Sequence, residues 1–236
     1  TRVSSSPASF VYNTPPPPSP PGSGPGEGRP DEPPPPGSYS TLERLLLAPL
    51  RRLGGYLVRP VITTLAAARV HPNALSFSQI PLGFVVAFLI VPFPRLALAL
   101  FIGTLILDFL DGELARARGL ASNFGALLDQ VCDHVRELTV VGGLVAVGAL
   151  RGEIGVAYAA AYPLANVLLY LADRFRTPLP VSIKTWMVYY PFLIAYLGWG
   201  LNLLDYAAAA AAAFLTLASI QALWRLRTAI SRSNSP

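Results

Sequence analysis

Four aspartates with regular spacing stand out in an otherwise apolar stretch of this chain: Asp108 and Asp111, then Asp129 and Asp133. The first two are three residues apart and the last two are four apart, so on helices each pair would share one face. Ionisable groups at membrane depth are costly and usually mark a functional site. Two helices facing each other here would offer four carboxylates to a hard cation such as Mg²⁺ or Mn²⁺, rather than to zinc or copper.

The composition predicts an integral membrane protein with one compact membrane domain. Hydrophobic residues make up 53% of the chain and charged residues 13%, whereas soluble domains carry about 25% charged residues. The formal net charge of +5 comes from basic residues scattered through loops, without a Lys/Arg-rich run. This favours a membrane surface and anionic ligands and argues against nucleic-acid binding. A single cysteine excludes an intrachain disulfide and a thiolate metal cluster.

The regions before and after the apolar part are predicted from composition. Residues 1–39 are rich in Pro, Gly and Ser, which predicts a disordered or polyproline-II tail. Residues 40–70 alternate Leu and Arg at helical spacing, which favours an amphipathic helix in the lipid headgroup region over one that packs on the domain. We assign residues 71–230 to the membrane domain and 231–236 to a polar C-terminal tail. The chain begins with Thr rather than Met, so we expect residues upstream of it.

Six apolar windows follow, each near the ~20 residues that a helix needs to cross the hydrocarbon core. They lie at about 75–93, 96–118, 126–149, 154–173, 185–204 and 207–226. Because backbone polar groups must be satisfied internally in lipid, we predict helices for all of them. The predicted fold is an all-α membrane protein with six transmembrane helices preceded by a juxtamembrane amphipathic helix. The alanine run in the last window fits a homodimer seam or a lipid-facing surface.

Loop charges predict the orientation, because cytoplasmic loops carry an excess of Lys and Arg. With the N-terminus inside, most basic residues, Arg136 among them, fall in cytoplasmic segments, whereas only Arg95 and Arg151 fall outside. We therefore predict a protein of the cytoplasmic membrane with both termini inside. The aspartates would then lie at the cytoplasmic ends of the second and third spans, where nucleotides and Mg²⁺ are available.

The aspartates belong to a longer pattern, Asp108-x2-Asp111-Gly112-x2-Ala115-Arg116-x8-Gly125-x3-Asp129-x3-Asp133. This pattern resembles the signature of the CDP-alcohol phosphatidyltransferase family at every fixed position. The segment Val70-His71-Pro72-Asn73-Ala74-Leu75-Ser76 is similar to the short element that opens the family's first span, with Ser76 in place of Thr. The resemblance covers about residues 40–230 and leaves the N-terminal tail outside.

The resemblance implies a six-helix membrane enzyme, usually a homodimer, that transfers a phosphatidyl group from a CDP-linked lipid donor to a small hydroxyl acceptor and releases CMP. It implies that the four aspartates bind two Mg²⁺ or Mn²⁺ ions and that Asp133 is also the general base. It further implies a CDP site lined by Gly112, Ala115, Arg116 and Gly125. The chemistry agrees, because cations neutralise a diphosphate, a planar Arg fork complements phosphate and a carboxylate can accept the hydroxyl proton.

The acceptor is predicted from weaker signals. The cations Arg118, Arg174, Arg176 and Lys184 lie on the predicted cytoplasmic side, next to the aspartates or around the loop after the fourth span. A pocket built from them would favour a phosphorylated polyol, either glycerol 3-phosphate or inositol phosphate. Ordinary positive-inside topology explains most of these cations equally well. A serine- or choline-type acceptor is the alternative within the family.

Two other interpretations compete with the enzyme. The aspartates could be structural partners of Arg116, Arg118 or Arg136, but ion pairing alone does not demand the glycines and the fixed gap. A cation-binding membrane transporter would carry its carboxylates near the bilayer midplane on broken helices. We favour the enzyme because the predicted cluster lies near a cytoplasmic end.

Three residues near the motif receive structural predictions. The segment Ser122-Asn123-Phe124 leads into Gly125 and is predicted to cap the third span, because Ser and Asn favour the N-cap position. His134 follows Asp133 and points about 100° away around the helix, which predicts a hydrogen-bonded interface residue rather than a catalytic one. Cys132 is expected to pack as a small apolar residue.

Overall fold

The computed structural model describes residues 58–174, Thr177 and residues 185–233, and the regular structure of these residues is helical. The helices, in chain order, are α1 (Val58–Ala67), α2 (Pro72–Leu89), α3 (Pro94–Ala117), α4 (Asn123–Ala146), α5 (Gly152–Arg174), α6 (Thr185–Val188), α7 (Tyr190–Trp199) and α8 (Leu204–Ser233). The tail at 1–39, the first part of the 40–70 region and the end of the C-terminal tail lie outside the described residues.

The first four predicted windows match α2 to α5 to within a few residues at each end. The fifth window, 185–204, is wrong as a single helix. It contains the four residues of α6 and the ten residues of α7, with Tyr189 between them. Gly200 ends α7 with a φ of 74°, a left-handed conformation that glycine adopts without a Cβ clash.

Three helical segments are long and apolar enough to cross a membrane: Pro72–Leu89, Gly152–Ala172 and Leu204–Thr228. The two helices that carry the aspartate motif, α3 and α4, have 24 residues each and include charged side chains. The described part of this membrane protein is therefore all-helical, and both helices that carry the motif include charged side chains.

The core is built by two groups of helices that meet along their lengths. α2 packs extensively on α3 and on α4, and α5 packs extensively on α8, while α4 also contacts α5 and α3 contacts α7. One apolar cluster joins the two groups and includes Val86, Phe101, Leu144, Tyr158 and Leu193. This arrangement supports α3 and α4 from several sides, so that their polar faces are held at fixed positions.

The alanine run of α8 packs inside the chain. Ala207, Ala208, Ala211 and Ala212 are buried members of the main core cluster, whereas Ala209 and Ala213 are exposed. Small side chains allow close helix approach, and here the approach is between helices of one protomer. Neither a homodimer seam nor a lipid-facing surface therefore describes the buried face of this run.

The described part of the predicted amphipathic helix, α1, packs against the membrane domain. Ile62 is buried together with Leu110 and Leu114 of α3. On the other side of the helix, Val61 is exposed. α1 thus packs beside the part of α3 that carries Asp108 and Asp111.

Candidate active site

Three of the four aspartates meet between α3 and α4. Asp108 and Asp111 come from α3 and Asp129 from α4, and one carboxylate oxygen of each lies within 4.8 Å of the others. Asp111 is buried, whereas Asp108 and Asp129 are partly exposed. Three hard oxygen ligands at this separation are suited to one divalent cation. No ion pair in the described ranges involves any of the three, so basic side chains do not neutralise this trio.

The start of α4 positions Asp129. The predicted cap at Ser122 or Asn123 is confirmed: Ser122 is the N-cap residue, and its hydroxyl accepts a hydrogen bond from the Gly125 amide at 3.0 Å. A Cβ at Gly125 would lie 3.2 Å from this hydroxyl and 3.6 Å from Oδ1 of Asn73, which lies in the first turn of α2. The glycine therefore leaves room for the cap and for the beginning of α2 beside it.

α2 contributes directly to the aspartate site through Ser76. The Ser76 hydroxyl donates a 2.6 Å hydrogen bond to Oδ2 of Asp111, and both residues are buried. This bond orients the Asp111 carboxylate and leaves its other oxygen for a further ligand. The sequence identifies Ser76 only as part of a family-like element and does not predict this contact.

Asp133 lies one helical turn beyond Asp129 and is outside the group of three. Its Oδ1 lies 2.9 Å from Nη1 of Arg136, one turn further along α4. The Oδ1 atoms of Asp129 and Asp133 are both buried and have no aligned hydrogen-bond partner in the part of the chain that the structure describes. A buried acceptor without a donor is costly, and a cation would supply the partner that Oδ1 of Asp129 lacks. An ion pair with Arg136, one of the structural pairs considered from the sequence, thus occurs for Asp133. Among the described residues, the other three aspartates form no ion pair.

The residues expected at a CDP site lie on α3 and at the start of α4. Arg116 is exposed, and its Nη2 donates to Oε1 of Glu113 at 2.7 Å. Both terminal guanidinium nitrogens lie 3.4 Å from the position that a Cβ at Gly112 would occupy. The side chain of Arg116 therefore folds back along its own helix over Gly112. Ala115, the residue before Arg116, is partly exposed.

Arg118, an acceptor candidate that follows the last residue of α3, has a structural contact. Its Nη1 donates to the carbonyl oxygen of Val70 at 2.5 Å, which ties the end of α3 to the residues that precede α2. Arg174 is the last residue of α5, and its side chain is outside the described part. Arg176 and Lys184 also lie outside the described residues.

A family profile described as CDP-alcohol phosphatidyltransferase matches residues 69–224. The chain belongs to this family. The matched range runs from the residues before α2 into α8 and contains the complete aspartate pattern, so membership rests on most of the membrane domain as well as on the motif.

Curated relatives of this family member include two bacterial proteins and one archaeal protein. Phosphatidylinositol phosphate synthase of Corynebacterium glutamicum is 31% identical over 96 residues, 40% of this chain and 44% of the relative. The protein of the same name from Mycobacteroides abscessus is 55% identical over 38 residues, 16% of this chain and 17% of the relative. Archaetidylinositol phosphate synthase of Pyrococcus horikoshii is 31% identical over 111 residues, 45% of this chain and 53% of the relative. The matches thus span about half or less of each relative.

The structure corrects the predicted position of one charged residue, Arg136. Arg136 was assigned to a cytoplasmic segment, but it lies within α4 and is 2% exposed. It donates through Nη1 to Oε1 of Gln79 on α2, a residue that the sequence analysis missed. The signal for Gln79 was present, since it is a long polar side chain three residues after Ser76 in an apolar helix.

A second buried polar group, which the sequence did not predict, surrounds Glu137. This residue is 1% exposed, and its carboxylate accepts hydrogen bonds from the hydroxyls of Tyr158 at 2.7 Å and Tyr190 at 2.8 Å.

The predictions for His134 and Cys132 can be compared with their contacts. Nδ1 of His134 lies 2.5 Å from the carbonyl oxygen of Gln130 in the same helix, and its ring packs on the ring of Tyr162. Cys132 is fully buried. His134 therefore lies at a helix interface, and Cys132 is buried like a small apolar residue, as predicted for each.

Proposed function

We propose that this protein transfers a phosphatidyl group from CDP-diacylglycerol, or another CDP-alcohol, to the hydroxyl of a phosphorylated polyol and releases CMP. The observation that carries the proposal is the group of carboxylates from Asp108, Asp111 and Asp129, drawn from two helices of a family member. A cation site of this kind suits a substrate that carries a diphosphate.

The proposed metal site uses all four aspartates and two Mg²⁺ or Mn²⁺ ions. The donor set fits hard cations, because it consists of carboxylate oxygens without thiolate or imidazole ligands. The Oδ1 atom of Asp129, which has no hydrogen-bond partner among the described residues, adds to the fit. When bound, the metals would neutralise the diphosphate oxygens and the CMP leaving group.

We assign the general-base role to Asp133. Its carboxylate would accept the proton of the acceptor hydroxyl while the hydroxyl oxygen forms a bond to the phosphorus that carries the lipid. The bond between that phosphorus and the bridging oxygen breaks, and CMP leaves with the electron pair. The side chain of Asp133 is 27% exposed, which supports access for a substrate hydroxyl.

The proposed CDP site consists of Gly112, Ala115, Arg116 and Gly125. The exposed guanidinium of Arg116 offers several N–H donors to phosphate oxygens. Gly112 and Gly125 would let the nucleotide approach the helices where a Cβ would intrude.

We propose inositol phosphate as the acceptor, with glycerol 3-phosphate as the alternative. The support is that the curated relatives named above are synthases of phosphatidylinositol phosphate or archaetidylinositol phosphate. An acceptor phosphate would be bound by cations among Arg118, Arg174, Arg176 and Lys184. If so, Arg174→Ala and Arg176→Ala should raise the KM of the phosphorylated acceptor without raising the KM of the CDP-lipid, as measured by steady-state CMP release. Unchanged acceptor KM in both variants would exclude these two arginines from the pocket.

The proposed architecture has six spans: α2, α3, α4, α5, α6 together with α7, and α8. Both termini and the aspartates would face the cytoplasm, and the lipid donor would enter from the inner leaflet. We retain the homodimer, the domain at 71–230 and the interfacial position of residues 40–70 as parts of this proposal. The family match at 69–224 supports the domain limits.

The deciding experiment is CMP release by purified protein in detergent with CDP-diacylglycerol and Mn²⁺ or Mg²⁺. Inositol phosphate, glycerol 3-phosphate, inositol, serine and choline would each be offered as acceptor. Release with inositol phosphate that falls by ~10²-fold or more in Asp133→Asn, as expected for a lost general base, would support the proposal. Full turnover in Asp133→Asn would contradict the assigned base.

Metal removal gives an independent check of the same proposal. Exhaustive chelation should abolish CMP release, and added Mg²⁺ or Mn²⁺ should restore it, because the carboxylates alone would leave the diphosphate charge uncompensated. Turnover that survives chelation would contradict the metal site. A cation transporter, the rival from the sequence analysis, would release no CMP with any acceptor.

A further inference from the structure

Arg136 is a buried charge that the family pattern does not include. Its side chain is 3% exposed and lies on the α4 face that also carries Asp133. A buried guanidinium is costly unless charge and hydrogen-bond partners compensate it. Its Nη1 has both kinds of partner, the carboxylate of Asp133 and the amide oxygen of Gln79. These contacts offset part of the cost of burying Arg136, whose Nε has no hydrogen-bond partner among the described residues, and they also act on Asp133.

α2 restricts the position of Arg136 in two ways. Gln79, which is fully buried, accepts from its guanidinium. One turn later on α2, Gly83 lies against Arg136, so that a Cβ at Gly83 would come within 3.2 Å of both Cα and Cγ of the arginine. The backbone of α2 thus touches the base of the side chain while Gln79 holds its tip. The guanidinium has little freedom to turn away from Asp133.

The contact with Arg136 distinguishes the two oxygens of Asp133. Oδ1 is buried and lies 2.9 Å from Arg136 Nη1, whereas the side chain as a whole is 27% exposed. Oδ1 therefore does not contribute to the exposed part of the carboxylate, which we call its accessible edge. A carboxylate held by one oxygen presents the other in a defined direction, which is what a proton acceptor or metal ligand requires.

We propose that Arg136, braced by Gln79, is a positioning residue that holds Asp133 in its reactive orientation. This inference rests on the proposed function, since it assumes that Asp133 acts on the acceptor hydroxyl. Arg136 itself does not touch substrate. It fixes Oδ1, and the accessible edge of the carboxylate is thereby directed toward the hydroxyl and the metals.

The neighbouring residue offers a matched control. Glu137 is also buried on α4, but its carboxylate is bonded to Tyr158 and Tyr190, on α5 and α7. Tyr158→Phe would remove one buried hydrogen bond from Glu137 and leave the other, just as Gln79→Leu would remove one partner from Arg136 and leave Asp133. Each substitution removes one hydrogen-bond partner from a buried charged residue of α4, and only Gln79→Leu acts on the residue that contacts Asp133.

The test measures kcat and the donor KM of Gln79→Leu, Arg136→Lys, Arg136→Ala and Tyr158→Phe from steady-state CMP release, with the donor concentration varied at saturating acceptor and metal. Loss of a supporting contact typically lowers activity by about 10–100-fold. We expect kcat to fall in that range in Gln79→Leu and Arg136→Lys with the donor KM unchanged, while Tyr158→Phe keeps its kcat. Added guanidinium at millimolar concentration should restore part of the kcat of Arg136→Ala, which a purely structural role would not allow.

Two results would overturn the inference. One is wild-type kcat in Gln79→Leu and Arg136→Lys, and the other is an equal loss in Tyr158→Phe without guanidinium rescue of Arg136→Ala. Asp133→Asn separates this failure from that of the proposed function. If Asp133→Asn is inactive and the Arg136 variants are fully active, only the positioning role is wrong. If Asp133→Asn is fully active, the general-base proposal itself is wrong.

Discussion

At the scale of single residues, Asp111 depends on a side chain from another helix. The hydroxyl of Ser76 on α2 donates a 2.6 Å hydrogen bond to it, and both groups are shielded from water. Hydrogen bonds to metal-binding carboxylates orient the free oxygen and are nearly as important as the ligands themselves. The beginning of α2 therefore belongs to the proposed metal site, although it contributes no carboxylate.

Ser76→Ala should weaken activation by metal because Asp111 would lose its orienting donor. We expect the Mn²⁺ concentration for half-maximal CMP release to rise by about 10–100-fold. Ser78→Ala is the control, since the Ser78 hydroxyl donates to Leu75 O in its own helix. The same metal dependence in both variants would mean that Ser76 does not orient a metal ligand.

At the scale of helices, the site depends on the close approach of α2 and α4. Gly143 on α4 faces Ala87 on α2, and a Cβ there would lie 2.7 Å from the Ala87 Cβ and 3.0 Å from its Cα. The second distance involves backbone, which cannot turn aside as a side-chain tip can. The same pair of helices brings Gln79 to Arg136. Their spacing thus sets both the packing of the core and the surroundings of Asp133.

Gly143→Ala should destabilise the folded protein, because overpacking at a close helix contact costs about 1–3 kcal/mol. The adjacent Gly142 is a matched control, since a Cβ there meets nothing within 4 Å. Gly142→Ala should keep or raise the thermal midpoint, because Ala is favoured over Gly in helices by about 1 kcal/mol. The measurement is thermal unfolding of both variants in the same detergent. A midpoint for Gly143→Ala equal to that for Gly142→Ala would contradict the close contact.

At the scale of the whole molecule, the described part has two distinct ends. At one end, the backbone amide of Arg151 donates to Asp205 and the side chain of Asn202 donates to the carbonyl of Ala149, both at 2.9 Å. These bonds join the turn before α5 to the turn before α8. The α3–α4 turn, which leads from the first two aspartates to the other two, lies at the opposite ends of their helices. The proposed orientation puts that turn in the cytoplasm.

Single cysteines in a Cys132→Ser background test this orientation. Ala121 is exposed between α3 and α4, and Leu201 is exposed between α7 and α8. A membrane-impermeant maleimide added to intact cells should label Leu201→Cys, while Ala121→Cys should react only after permeabilisation. The reverse pattern would place the aspartate site on the outer face and remove it from cytosolic nucleotide.

Predictions from the sequence agree with the structure where they depend on residues that are close together in the chain. The first four predicted windows coincide with α2 to α5, because a helix of about 20 apolar residues has to satisfy its own backbone in lipid. The cap before α4 was predicted at Ser122 or Asn123 from residue type, and it is local too, since Ser122 bonds to Gly125 three residues away. The fifth window failed because uniform apolarity carries no information on the break at Tyr189 or on the turn at Gly200.

The sequence by itself determined the family-like aspartate pattern, the helical membrane fold and the pairing of aspartates on helix faces, since these follow from spacing and composition within single segments. The tertiary structure alone decided which side chains support them. Ser76 is 35 residues from Asp111 and Gln79 is 57 residues from Arg136 along the chain. Arg136 was counted as a loop charge because positive-inside reasoning treats every arginine as accessible. Burial within packed helices is a property of the whole fold, and no local pattern encodes it.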